Sequence, residues 1–154
     1  TDAKAQMAMV AKISGKTQKV VQQFPTSPNT NAVTSKSYNN NSNEFTITAS
    51  GTYSGFYLTN TQLTFGHVYY LSASFKIPKA GKVRLNTDFA ISANTYTRCE
   101  KVERVNANVT FYNLEAASGD IFYIKEAMAI DLTVMFGAGN EPNIDTCKKI
   151  FGNG

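Results

Sequence analysis

From Glu44 onward the sequence alternates apolar and polar residues with a period of two, and this alternation constrains the fold more than any other feature. "EFTITAS" sets Phe45, Ile47 and Ala49 against Glu44, Thr46 and Thr48. "HVYYLSASFKI" places Tyr69, Leu71, Ala73, Phe75 and Ile77 on one face and Tyr70, Ser72, Ser74 and Lys76 on the other. "KVRLNTDFAI" sets Val83, Leu85, Thr87, Phe89 and Ile91 against Arg84, Asn86 and Asp88. "VNANVTFYNL" and "IFYIKEAMAI" continue the pattern, the second with Phe122, Ile124, Met128 and Ile130 on one side. Successive strand side chains point to opposite faces, so each segment reads as a half-buried antiparallel strand. Ser54-Gly55, Ala80-Gly81 and Ser118-Gly119-Asp120 carry the chemistry of reversals. About seven or eight short strands in about 100 residues predict an all-β fold, an antiparallel β-sandwich of jelly-roll type.

Helical spacing is confined to the C-terminus. In "PNIDTCKKIF" the residues Ile144, Cys147, Ile150 and Phe151 share a face. Asn143 suits the N-cap, Asp145 the first turn and Lys148 and Lys149 the last, and Gly152 ends the run. One short C-terminal helix follows. Residues 1–33 read differently, as an N-terminal arm or linker ahead of a jelly-roll module over 34–154. "AKAQMAMVAK" suits a short helix or an extended arm, and "ISGKTQKVVQQF" two extended pieces around Gly15-Lys16. Pro25 and Pro28 make "PTSPNTN" a linker or surface turn. "SKSYNNNSNE" reads as a polar loop.

Charged residues make up only 17% of the 154 residues, and the net charge is +4 with the basic residues scattered. That argues against a nucleic-acid partner. No apolar run approaches the length of a membrane span, so no membrane insertion is expected. Cys99 and Cys147 fit no metal spacing and read as two reduced thiols. "GAG" at 137–139 begins like a dinucleotide fingerprint, but Pro142 stands where the third glycine belongs and the helix opens too late. "GKT" at 15–17 ends like a phosphate loop, but its leading glycine would be Val10. His67 follows Gly66 at a strand entrance and reads as a strand-edge histidine, and Glu100 and Glu103 belong to a solvated charge run. No nucleophile or metalloprotease signature is present, so the chain is expected not to be an enzyme and to carry no cofactor. A structural Ca²⁺ would have to draw on Glu44, Asp88 and Asp120, the acids near strand ends.

The polar face of the sandwich remains. Tyr70, Arg84, Asn86, Asp88, Tyr112 and Tyr123 are the candidate carbohydrate-binding residues, with Tyr53, Tyr57 and Tyr96 in flanking loops. Sugars are bound by an aromatic ring against the pyranose C–H face and by amide, carboxylate and guanidinium groups on the hydroxyls. This face supplies both, although there is no Trp in the chain.

"IKEAMAIDLTVMFGAGNEP", Ile124 to Pro142, resembles a recurring ending in tail and fibre proteins of bacteriophages and prophages. "GHVYYLSASFKI", Gly66 to Ile77, is similar to a strand of the same modules, and "ISGKTQKVVQ", Ile13 to Gln22, to the lead-in that precedes them. The resemblance implies a carbohydrate-binding-module-like jelly roll in a phage tail, fibre or baseplate protein, located in the virion. Its expected partners are host cell-surface polysaccharide and other virion proteins, in a homo-oligomer, often a trimer. Two alternatives stand beside that reading. One is a purely structural module packing on neighbouring subunits; the other is an ancillary binding module of a cell-wall hydrolase. No ligand residue is carried over from the resemblance.

Overall fold

The computed structural model describes residues 10–13, 16–19 and 24–152. Strands β1 (Val10–Ile13) and β2 (Lys16–Lys19) form an antiparallel hairpin; β2 falls in the stretch Ile13–Phe24 expected to be extended, while β1 lies mostly ahead of it. The helix or arm expected over Ala3–Lys12 lies outside the described residues up to Met9. Ten further strands follow: β3 (Asn29–Asn31), β4 (Val33–Asn39), β5 (Glu44–Ala49), β6 (Ser54–Leu58), β7 (Val68–Lys76), β8 (Gly81–Leu85), β9 (Asp88–Ile91), β10 (Thr97–Arg104), β11 (Val109–Asn113) and β12 (Ile121–Asp131). The chain then closes with α1 (Leu132–Phe136) and α2 (Ile144–Phe151).

The ten strands make two five-stranded antiparallel sheets, ordered β10-β7-β12-β5-β4 and β3-β6-β11-β8-β9. We call these the first and second sheets. Partners pair as β5 with β12, β6 with β11, β7 with β10 and β8 with β9. Within each sheet two of these pairs meet, β12 on β7 and β11 on β8. This is a long hairpin, β5 to β8 against β9 to β12, rolled into a sandwich: a jelly roll. β3 and β4 extend the two sheets at their edges.

The period-two residues fill the space between the sheets. Phe45, Phe56 and Phe111 pack ring on ring, with centroids 4.6 and 4.9 Å apart. Phe24 inserts edge-on against all three. Phe24 and β3 therefore belong to the sandwich, which begins ahead of residue 34. Cys99 and Cys147 are both buried free thiols. Burial pushes Cys99 up to about 12 and Cys147 up to about 11, so neither is a nucleophile at neutral pH.

Several segments depart from the sequence expectation, each for a physical reason. "SKSYNN" is not a loop but largely β4, an edge strand whose Tyr38 packs 4.6 Å from Phe45 and whose Lys36 ammonium lies over the same ring. "KVRLNTDFAI" is not one strand but the hairpin β8–β9, turned at Asn86 with φ +57°, a conformation asparagine tolerates. The charge run at 98–104 is β10. Ser54-Gly55 opens β6, just after a reversal rather than in it. A bulge at Glu126, φ +54°, shifts the phase of β12, so Phe122 and Ile124 face the main core while Met128 and Ile130 face the other side.

That other side is the outer face of the first sheet, and part of it is covered. Tyr70, Ile130, Leu132, Cys147 and Phe151 form a second apolar cluster beneath the helices. α2 forms as its letters specify: Asn143 Oδ1 accepts from the Thr146 N–H at 2.9 Å, and the Gly152 N–H closes on the Lys148 carbonyl. Pro142 stands just before the N-cap, outside the helix.

Between β12 and α2 the glycine-bearing stretch works as a clasp. Asp131 caps α1 by accepting from the Val134 N–H at 3.0 Å, while its other oxygen lies 2.8 Å from His67 Nδ1. Thr133 accepts from the Val68 N–H and donates to Glu141 at 2.7 Å. Glu141 also accepts from the Gly139 N–H. Gly137 and Gly139 have φ of +93° and +85°, which suits residues without Cβ. The Thr133 hydrogen bond holds the Glu141 carboxyl below its ordinary range. The Ala117 N–H does the same for Asp120, and the Arg84 guanidinium for Asp88. A carboxylate with a depressed folded-state pKa stabilises the fold above its unfolded pKa and loses that contribution as pH falls through the folded value. The thermal midpoint is therefore expected to be flat down to about pH 5 and to fall below about pH 4. Glu141→Gln should lower the neutral-pH midpoint and make the acid slope shallower. An unchanged slope would remove the clasp from the account.

Candidate functional site

The outer face of the second sheet collects most of the sequence candidates. Strand register sets Asn31, Gly55, Tyr112, Arg84 and Asp88 in one row across β3, β6, β11, β8 and β9. A second row runs Asn29, Tyr57, Thr110. Parity explains the row: Phe111, Val83 and Leu85 are buried between the sheets, so Tyr112 and Arg84 must point outward. Gly55 contributes no side chain to the row. Tyr53, in the turn before β6, swings its ring to 5.2 Å from the Arg84 guanidinium, and its carbonyl accepts from Asn31 Nδ2 at 2.7 Å.

Arg84 is thereby held on two sides, since its Nε donates to Asp88 Oδ1 at 2.8 Å. This hydrogen bond raises the Arg84 pKa and lowers that of Asp88, so both stay charged across the physiological range. Partial burial pushes the Tyr112 hydroxyl up, with the neighbouring Tyr57 adding to the shift and Arg84 opposing it. Tyr112 thus stands between Tyr57 and Arg84, a neutral ring beside a fixed ion pair. Tyr53 is 45% exposed and the Asp88 side chain 40%, so the surface is open to a ligand. Such a surface can stack rings and hydrogen-bond hydroxyls. Glycoside hydrolysis would need a second carboxylate across a scissile bond. Asp88 is bound to Arg84, and Glu115 accepts from the Lys82 N–H.

Three sequence candidates leave this face. Tyr70 is fully buried on the first sheet, its ring stacked on Phe151 at 5.3 Å and its hydroxyl donating to Glu100. The cover supplied by α2 removes it from any ligand. Tyr123 also belongs to the first sheet, on the opposite side of the sandwich from Tyr112. Asn86 is spent on structure: Oδ1 accepts from the Thr110 N–H at 3.1 Å and Nδ2 donates to Glu103 at 2.6 Å, tying the β8–β9 turn to β10. Arg84, Asp88 and Tyr112 remain together. Tyr57 joins them from a strand rather than a loop, a place the alternation of Phe56, Tyr57 and Leu58 signals. Asn31 and Asn29 had no signal, because a three-residue edge strand beside two prolines has no readable period.

No family model matches the chain, and no curated protein does. A solved structure described as "CBM4 structure and function" is similar to it at a TM-score of 0.42 and 13% identity, over 66% of this chain and 77% of that one. At that level the likeness carries no functional weight.

The remaining candidate chemistry does not assemble. Glu44 and Asp120 stand at opposite ends of β5, and Asp88 lies on the other sheet. Among the described residues no three acids, cysteines or histidines gather as a metal cage. Glu100 and Glu103 diverge, the first to Tyr70 on the outer face and the second to Asn86 at the sandwich edge. His67 is committed to Asp131 in the clasp. Among the described residues no helix is long and apolar enough to cross a membrane.

Proposed function

We propose that the chain is a non-catalytic carbohydrate-binding module of a phage virion, presenting the outer face of its second sheet to a host cell-surface polysaccharide. The observation that carries the binding reading is the open row of Tyr112, Arg84 and Asp88 flanked by Tyr57 and Tyr53. Rings for pyranose faces and fixed polar groups for hydroxyls stand side by side on strands that cannot shift. The virion placement draws on the resemblance of Gly66–Ile77 and Ile124–Pro142 to tail and fibre proteins. Those two segments meet in the clasp through His67, Val68, Asp131 and Thr133, which accounts for their sharing one module. In this reading the protein is assembled into the virion in the host cytoplasm.

The test is glycan binding by the whole chain and by Tyr112→Ala and Arg84→Ala. Each substitution is expected to weaken binding by about tenfold or more, equivalent to about 1.4 kcal/mol. Because both side chains are on the surface, thermal midpoints should move by no more than about 4 °C. A module that binds no sugar at millimolar concentration, or binds equally well without Tyr112, refutes the proposal. A second reading, an assembly module, is favoured by exposed Val134 and Phe136 on α1. It predicts a stable trimer in light scattering that Val134→Asp dissociates.

A further inference from the structure

The first sheet carries a different surface, on the part of its outer face that α2 leaves uncovered. Lys76 and Tyr123 are cross-strand partners on β7 and β12, and Lys125 follows two residues along β12 on the same face. Tyr96, just before β10, folds over them. The Lys76 ammonium lies 5.2 Å from the Tyr123 ring and 5.3 Å from that of Tyr96, and the Lys125 ammonium lies 4.1 Å from Tyr96. Two like charges therefore converge on one ring. Arg98 stands in the same row, across Ser74 from Lys125. Its three nitrogens are shielded from solvent without a hydrogen-bond partner, and the Glu126 carboxylate is 3.7 Å away, beyond hydrogen-bonding reach. Glu44 lies across from Lys125 on β5. Among the described residues, neither Lys76 nor Lys125 has a carboxylate within 4.0 Å.

We infer that this surface is a second binding site, one that takes an oxyanion carried on a polysaccharide. An ammonium resting on an aromatic face still has N–H donors on its far side available to carboxylate or sulfate oxygens. Arg98, in the same row, is ion-paired with Glu126 at 3.7 Å but makes no hydrogen bond, so its guanidinium N–H groups keep unused donor capacity beside the two lysines. The neighbouring Thr46 and Ser37, on β5 and β4, continue the row with hydroxyls suited to a sugar backbone. Nucleic acid is disfavoured because lysine ammonium groups already occupy faces of Tyr96 and Tyr123, leaving less room for bases to stack. The inference does not rest on the second-sheet reading, because the two surfaces lie on opposite sides of the sandwich.

The experiment titrates the whole chain with polygalacturonate oligomers, their methyl esters, sulfated dextran, neutral dextran and a single-stranded oligonucleotide. Polygalacturonate or sulfated dextran should bind, the better of the two naming the oxyanion, and the methyl ester and neutral dextran should bind at least about tenfold more weakly. Affinity should fall as salt rises from about 50 to about 200 mM. Lys76→Gln with Lys125→Gln should lose about tenfold in affinity for the acidic polymer at an unchanged thermal midpoint. Equal binding of esterified and free acid, an unaffected double variant, or tighter binding of the oligonucleotide would overturn the inference.

Discussion

Gly55→Ala is expected to destabilise the protein by about 2–4 kcal/mol, although it adds only one methyl group. In the second sheet Gly55 pairs with Tyr112 across β6 and β11. A Cβ built there would overlap the Phe111 carbonyl oxygen, a backbone atom held in the sheet. That oxygen cannot move without pulling Phe111 out of the stacked cluster it forms with Phe56 and Phe45. Gly81→Ala is the control, since its Cβ would meet only the end of the flexible Glu115 side chain. It should cost less than about 1 kcal/mol. Urea denaturation of the two variants separates the cases, and equal midpoints would refute the close-approach account. Any Gly55→Ala protein that still folds should also bind the proposed sugar poorly, because relief of the overlap has to shift β11 and Tyr112.

The same glycine shows how far the letters carry. Ser54-Gly55 has the composition of a turn, yet it opens β6 just after the reversal, and Gly55 is a glycine because the Phe111 backbone comes too close for a Cβ. Alternation identified the buried face of β5, β7 and β11, since burial on one side of a strand imposes a period of two. It could not say which of the two sheets a strand joins. Tyr112 and Tyr123 are both polar-face tyrosines by parity, and they end on opposite sides of the molecule. β10 was hidden because its inward positions near the sandwich edge are Lys101 and Glu103, which ion-pair with each other and bind Thr87 and Asn86. The phase change in β12 was equally unreadable, because a bulge at Glu126 leaves no distinctive residue. α2 was legible to its caps, since Asn143, Asp145, Lys148, Lys149 and Gly152 each answer a local electrostatic or hydrogen-bonding need. What α2 covers is not legible, so parity alone sets Tyr70 among the sugar-binding candidates.

Phe151→Ala tests that cover and is expected to cost about 3 kcal/mol. Phe151 is 4% exposed and stacks on Tyr70 with an interplanar angle of 23°. Ile144, Cys147 and Ile150 pack beside it against Val68, Val102 and Met128. Deleting the ring should detach α2 rather than unfold the sandwich, because the main core lies on the other face of the first sheet. Two chemical signatures distinguish detachment from global loss. Burial and the Glu100 hydrogen bond push the Tyr70 hydroxyl up to about 12, so uncovering it should bring one tyrosine's ionisation back toward the ordinary value. Cys147 is held up to about 11 by the same burial and should become open to alkylation at mildly alkaline pH. Cys99, buried between the sheets, should stay unreactive. If both thiols react together, α2 and the sandwich form a single cooperative unit. If neither reacts and stability stays within about 0.5 kcal/mol, the Tyr70–Phe151 stack is not what holds the helix in place.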